Sequence, residues 1–436
     1  MTMAWRLAAA LLLLILPATA RAESVVVTAA RMLDVATGRY VEEPVIVITD
    51  GRIVSVVGRN GGRPNIPADA RRIDLPGMTL LPGLIDMHVH LASVPQIGGY
   101  RRFEFTDSFW ATMAPQNARA MLEAGFTTIR SMGAPNYADV AVRQGIDSGF
   151  YPGPRIVAAT RSFGPTGGHC DMNGLPPSLV SREGERGVNG AEAVRLQVRQ
   201  NRRYGADVIK LCATGGVFSR NTDPGAQQMS EAEMRAAVEE AHMLGMRVAA
   251  HAHGAAGIKA AIRAGVDTIE HASLVDAEGI RMARERGTYF SMDIFNTEYT
   301  QAEGARNGVL EENLRKDRDV AQLQRDNFRA AHRAGVRMVY GTDAGVMPHG
   351  TAAGQFRTMV QYGMTPIEAI RSATLNAAEA LGRARDVGAI EVGRFGDMVA
   401  VRGDPLADVR VLENVAVVIK GGAVAADRRG QPAAAQ

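Results

Sequence analysis

Five histidines, one lysine and one aspartate stand where short apolar runs end. They are His88 and His90 in LIDMHVHL, Lys210 in DVIKLCA, His251 and His253 in RVAAHAHG, His271 in TIEHAS and Asp343 in RMVYGTDAG. Residues two apart in a strand point to the same side, so His88 and His90 are placed to share one ion. Imidazole and carboxylate are good ligands for zinc and similar divalent metals. A lone histidine is more often a hydrogen-bonded core or surface residue, and His242, His332 and His349 keep that reading. It weakens when five of the chain's nine histidines close strands of one pattern.

Lys210 has two readings. An inward-facing lysine is costly unless its charge is paired or removed. A salt bridge to an acid is one solution. Carboxylation of the amine by carbon dioxide is the other, giving a carbamate anion that bridges two metals. Asp343 also has two: the N-cap of a helix, or a metal ligand that shuttles a proton. The apolar strand before it and the glycine after it favour the second.

The elements that must position these residues alternate. From 81 to 381, short apolar runs are followed by amphipathic helical patterns, eight times over. That pattern predicts an α/β fold, a closed (β/α)₈ barrel whose chemistry sits at the C-terminal ends of its strands. Ser230 and Glu233 predict a capping box, and Ala264-Gly265 a helix end. The stretches 23–80 and 382–428 are rich in β-branched residues and turn signals, ITDGRI among them. They predict one small β-sandwich made from both chain ends, with 429–436 as a disordered tail.

Residues 1–22 read as a cleavable leader. Arg6 precedes the apolar run LAAALLLLILP, and Ala20 and Ala22 form an A-x-A site. The run falls short of the roughly 20 residues that span a bilayer, and Pro17 breaks it. A mature chain beginning at Glu23 is expected to be secreted or periplasmic. The 436 residues carry a formal charge of only +3, which argues against nucleic acid or a membrane surface as partner of the mature form. A small-molecule substrate is expected instead. Barrels of this size often assemble, so a homo-oligomer is expected. The two cysteines, Cys170 and Cys212, allow one disulfide or two unpaired thiols.

The segments LLPGLIDMHVHL, DVIKLCATGG, AHAHG, EHAS and GTDAG together resemble the amidohydrolase superfamily. The likeness is nearest to its prolidase-like, imidazolonepropionase-related branch, with Xaa-Pro dipeptidases, N-acyl amino acid carboxypeptidases and ochratoxin-hydrolysing amidases. It covers nearly the whole mature chain. It implies two divalent ions, expected to be zinc. His88, His90, carboxylated Lys210 and Asp343 would hold one, and Lys210, His251 and His271 the other. His253 would then contact substrate or support a ligand. A water shared by two ions ionises near neutrality. The resulting hydroxide would attack the amide carbonyl, and Asp343 would carry the proton to the leaving amine.

Two loops are expected over the mouth. RSFGPTGGHCDMNGLPP brings His169 towards the substrate. TGGVFSRNTDP brings Val217 as a wall and Arg220 as a carboxylate clamp. The expected reaction is cleavage of a dipeptide or N-acyl amino acid. The alternative is a cyclic-amide hydrolase or deaminase of the same superfamily. Deaminases carry a glutamate three residues after the strand-five histidine, where this chain has Gly254. A barrel that has lost its metals and only binds is a further rival, opposed by the presence of all six expected ligands.

Overall fold

The computed structural model describes residues 23–179 and 187–430. The expected leader at 1–22 and residues 431–436 of the expected tail lie outside the described residues. Arg429, at the start of that tail, donates to Asp427 and to the Asp74 carbonyl at 3.0 Å. Among the described residues no helix is long and apolar enough to cross a membrane.

Both chain ends enter one eight-stranded sheet. Ser24–Asp34 runs parallel to Arg71–Pro82, and Met398–Arg402 runs antiparallel to the end of that second strand. The Asp50-Gly51 turn of the Val45–Thr49/Arg52–Val57 hairpin has positive φ at both residues, 50° and 78°, as the DG signal requires. This hairpin folds over the segment leading into Met398: Gly396 N–H donates to the Gly51 carbonyl at 2.9 Å. The sheet thereby curls around its own inner face. Alternating residues such as Val25, Val27, Ile46, Ile48, Ile73 and Leu75 meet Met398 and Ile419 in one core, the period-two burial of a half-buried sheet.

Eight short strands follow in parallel order: Leu84–Val89, Phe126–Ser131, Arg155–Ala158, Val208–Cys212, Arg247–Gly254, Thr268–Leu274, Tyr289–Ser291 and Met338–Val339. Regular pairing joins the first three and the last five. Two seams complete the ring. At the first, Asp207 N–H donates to the Ala158 carbonyl at 2.8 Å, and Phe163 bridges Leu211. At the second, Met87 N–H donates to the Tyr340 carbonyl at 2.8 Å and His90 N–H to the Ala344 carbonyl at 2.7 Å. The strands close into the expected (β/α)₈ barrel, and helices pack outside it. Helix Glu231–Met243 starts with the expected Ser230–Glu233 capping box, and Ala255–Ala264 ends at Gly265 with φ 95°.

Candidate metal centre and active site

The strand ends and the loops after the third and fourth strands place every expected site residue on one cavity of about 460 Å³. His88, Lys210, His251, His253, His271 and Asp343 are all buried there, and His90 is half-buried. Four of them converge. His88 Nε2 lies 3.4 Å, and His90 Nε2 3.3 Å, from the same atom, Asp343 Oδ1. Lys210 Nζ lies 3.3 Å from His88 Nε2. Next to this group, the ring of His271 is 5.0 Å from that of His88 and 4.7 Å from those of His251 and His253.

The donor chemistry fits divalent ions. Asp343 Oδ1 is buried without a hydrogen-bond partner, although two imidazole nitrogens face it. A buried, unpaired carboxylate oxygen needs a cation. The second-sphere bonds also leave lone pairs inward. His271 Nδ1 sits 2.9 Å from Asp293 Oδ1, leaving Nε2. His251 Nε2 donates to the Gly215 carbonyl at 3.0 Å, leaving Nδ1. His253 Nδ1 lies 2.8 Å from Ser273 Oγ. Such partners fix the tautomer of a metal-binding imidazole. Among the described residues, three-donor groupings fall out twice, as His88, His271 and Asp343 and as His251, His253 and His271.

Electrostatics keeps most of these rings neutral. Burial, helped by Lys210, pulls His88 down to about 4. Burial and the neighbouring imidazoles hold His251 and His253 well below the usual histidine value. In His271 burial acts the same way, but Asp293 outweighs it and the value rises. Burial pushes the Asp343 carboxyl up, yet His88 and His90 hold it well below the usual carboxylate range. Lys210 has no carboxylate within 4.0 Å among the described residues, so the salt-bridge reading is not realised. Burial lowers its amine to about 8. The helix N-cap reading of Asp343 also falls away. Asp343 has φ 57° and precedes a turn, and the next helical segment starts at His349.

The expected substrate contacts differ in setting. His169 is half-buried and stacks on His251 at 4.0 Å, with its Nδ1 2.8 Å from Ser219 Oγ. Val217 is a buried wall residue. Arg220 lies at the outer rim, donating to the Tyr100 hydroxyl and standing 3.7 Å from Glu312. Tyr100, Phe103, Trp110 and Phe218 add an aromatic side to the cavity.

Sequence reasoning missed the support beneath the candidate metal ligands. Arg130 on the second strand is fully buried and pairs with Glu270 at 2.7 Å. Glu270 in turn reaches His88 Nδ1 at 3.0 Å. Asp86 accepts from the Thr342 hydroxyl at 2.6 Å and from His88 N–H at 3.0 Å, tying the first strand to the turn before Asp343. Asp293, Ser219 and Ser273 were likewise unforeseen. The adjacency of Glu270 to His271 was the one signal available. Strand alternation would send neighbours to opposite faces, but His271 and Ala272 have φ 71° and 48°. This left-handed kink is a strained conformation of the kind found at functional sites, and Glu270 and His271 both lie against His88.

The sequence model of the amidohydrolase family matches residues 79–425, a span that holds every one of these side chains. Ochratoxinase of Aspergillus niger is 32% identical over 409 residues, covering 88% of this chain and 83% of that one. A solved Xaa-Pro dipeptidase with bound methionine superposes with a TM-score of 0.84 at 36% identity, covering 92% of this chain and 99% of that one. A solved prolidase complexed with N-methylphosphonate-L-proline gives a TM-score of 0.84 at 33% identity, with the same coverage. The chain belongs to the amidohydrolase family and is a hydrolase acting on amide bonds.

Proposed function

We propose that the chain is a binuclear metal hydrolase that releases an α-amino acid with a free carboxylate from a dipeptide or N-acyl amino acid. The observation that carries this is the convergence of His88 and His90 on the unpartnered Asp343 Oδ1, with Lys210 Nζ against His88 Nε2 and the rings of His251 and His271 beside them. Its similarity to a Xaa-Pro dipeptidase and to an ochratoxinase supports the substrate class. The histidine-rich donor set favours zinc. Lys210, buried and with its amine lowered to about 8, has a substantial neutral fraction available to carbon dioxide, which supports carboxylation. The leader at 1–22 supports export.

Two divalent ions held there would supply Lewis-acid polarisation of the amide carbonyl and acidification of water. The chain's own groups handle the rest. Asp343 is held ionised, and its Oδ2 takes the water proton and delivers it to the leaving nitrogen. An amine leaves poorly without that proton. His169 and His253 each have Nδ1 engaged by a serine hydroxyl, which leaves Nε2 of each for the substrate carbonyl or carboxylate. Val217 and the aromatic side of the cavity exclude water from the acyl part. Arg220 at the rim, with Tyr100, is the clamp for a carboxylate. The deaminase alternative is disfavoured at Gly254, where a Cβ would lie 2.1 Å from the Gly225 carbonyl oxygen. No glutamate fits there.

The test compares N-acyl amino acids and dipeptides with their C-terminal amides, using zinc-loaded protein. Loss of one charge-assisted bond costs roughly 1.5–3 kcal/mol, so the amides should be hydrolysed about ten- to a hundredfold less efficiently in kcat/KM. Equal rates would contradict carboxylate recognition. Discrimination that survives Arg220→Ala would move the clamp to His169 or His253.

A further inference from the structure

The loop that carries His169 is covalently tied to the strand that carries Lys210. Cys170 and Cys212 form a disulfide with Cα atoms 5.9 Å apart, which resolves the open question of their pairing. Cys170 directly follows His169. Cys212 closes the fourth barrel strand, two residues after Lys210.

The sequence of the loop is rich in glycine. Gly167, Gly168 and Gly174 fall within eight residues, and Gly167 and Gly174 have φ 77° and 78°. Glycine gives a chain the greatest freedom to lose on ordering. Yet the His169 ring is closely seated. It stacks on His251 with planes 19° apart, and its backbone N–H donates to Gln228 Oε1 at 2.8 Å. It lies directly over Gly216, where a Cβ would come within 2.2 Å of Nδ1. Room for the cross-link is built in likewise: a Cβ at Gly164 would lie 3.2 Å from Cys212 Cβ and 3.6 Å from Cys170 Cβ.

We propose that the Cys170–Cys212 disulfide is a positioning element for His169. It pins the loop backbone beside the imidazole so that the ring stays over His251. Full turnover then belongs to the oxidised chain, the form that an oxidising compartment favours. The inference rests on the reading that His169 contacts substrate. Misplacing a substrate-positioning group by about 1 Å is enough to cost up to 10²-fold in rate.

The experiment is a double-mutant cycle on the metal-loaded full chain, assayed with the best substrate of the N-acyl amino acid and dipeptide panel. The variants are Cys170→Ser with Cys212→Ser, His169→Asn, and all three together. The serine pair is expected to lower kcat/KM about tenfold with metal content unchanged, and to change it less than twofold in the His169→Asn background. Equal losses in both backgrounds would mean that the cross-link acts on the barrel or the metals, and would overturn the proposal. No loss in either background would do the same. A wild-type rate for His169→Asn alone would remove the underlying reading of His169, while leaving the hydrolase assignment standing. If the serine pair fails to fold, native protein is reduced with a phosphine. The phosphorus gives up two electrons and becomes the phosphine oxide with oxygen from water, leaving two thiols. The same tenfold loss, reversed by oxidised glutathione and absent in His169→Asn, supports the proposal. Unchanged activity on full reduction overturns it.

Discussion

Glu270 Oε2 lies 3.0 Å from His88 Nδ1, while the other oxygen of the same carboxylate receives Arg130 Nη2 at 2.7 Å. Three barrel strands thus meet in one fully buried chain of charge beneath the metal centre. Arg130 is further tied to the Thr268 hydroxyl at 3.0 Å. Burial pushes the Glu270 carboxyl up, but Arg130 and His88 hold it well below the carboxylate range. His88 Nδ1 faces that carboxylate, and its Nε2 faces Asp343 Oδ1 and Lys210 Nζ.

Glu270→Gln keeps the volume but leaves Arg130 as a buried, unpaired cation. Breaking such a pair costs about 3–5 kcal/mol, and loss of a partner behind a metal-binding imidazole typically costs about 10- to 100-fold in metal affinity. Urea unfolding and zinc competition titration measure the two effects. Wild-type values in both would mean that Glu270 does not orient His88.

Lys210→Ala should lose most activity and part of the bound metal, because the proposed bridge between the two ions is gone. Added short-chain carboxylic acids should partly restore turnover by occupying the space of the carbamate. Metal analysis and rescue kinetics check this. Full activity with full metal content would contradict a bridging role for Lys210.

Asp343→Asn should retain much of the metal, since an amide oxygen still faces His88 and His90, but should lose the proton shuttle. The expected fall in kcat is about 10²- to 10⁴-fold. A kcat within a few-fold of wild type would make Asp343 structural.

Asp139 supplies a pH-dependent term away from the site. Its side chain is fully buried, accepting from Val140 N–H and Thr160 N–H at 2.9 Å each, and burial lifts its carboxyl to about 6 from an ordinary 3.8. The folded state therefore holds a proton that the unfolded chain releases earlier. The stability from that proton is fully present below about pH 4 and lost as pH rises through 6. Asp139→Asn should gain on wild type by on the order of 2–3 kcal/mol between pH 4 and 7. Denaturant midpoints of both proteins across that range decide it. A constant difference would show that Asp139 does not titrate as burial implies.

What was legible in the sequence was what local rules govern. The i, i+2 spacing of His88 and His90, the Asp50-Gly51 turn and the Ser230–Glu233 box each follow from one strand, one hairpin or one helix end. The eight repeated units imply the barrel because parallel strands joined by helices close that way. Illegible features depend on neighbours far along the chain. Arg130 in FTTIRS looks like an exposed strand residue until Glu270, 140 positions away, is placed against it. Strand periodicity places Glu270 on the face opposite His271, and the backbone kink at His271, φ 71°, leaves no compositional mark. The cysteine pair was undecidable because spacing says nothing of Cα separation.

The most direct test of the whole account is metal dependence measured together with hydrolysis. Chelator-stripped protein is titrated with zinc while release of the free amino acid from an N-acyl amino acid or dipeptide is followed. The account predicts no turnover without metal, and activity that rises to a plateau at about two ions per chain. Undiminished hydrolysis by protein shown to be metal-free would contradict it.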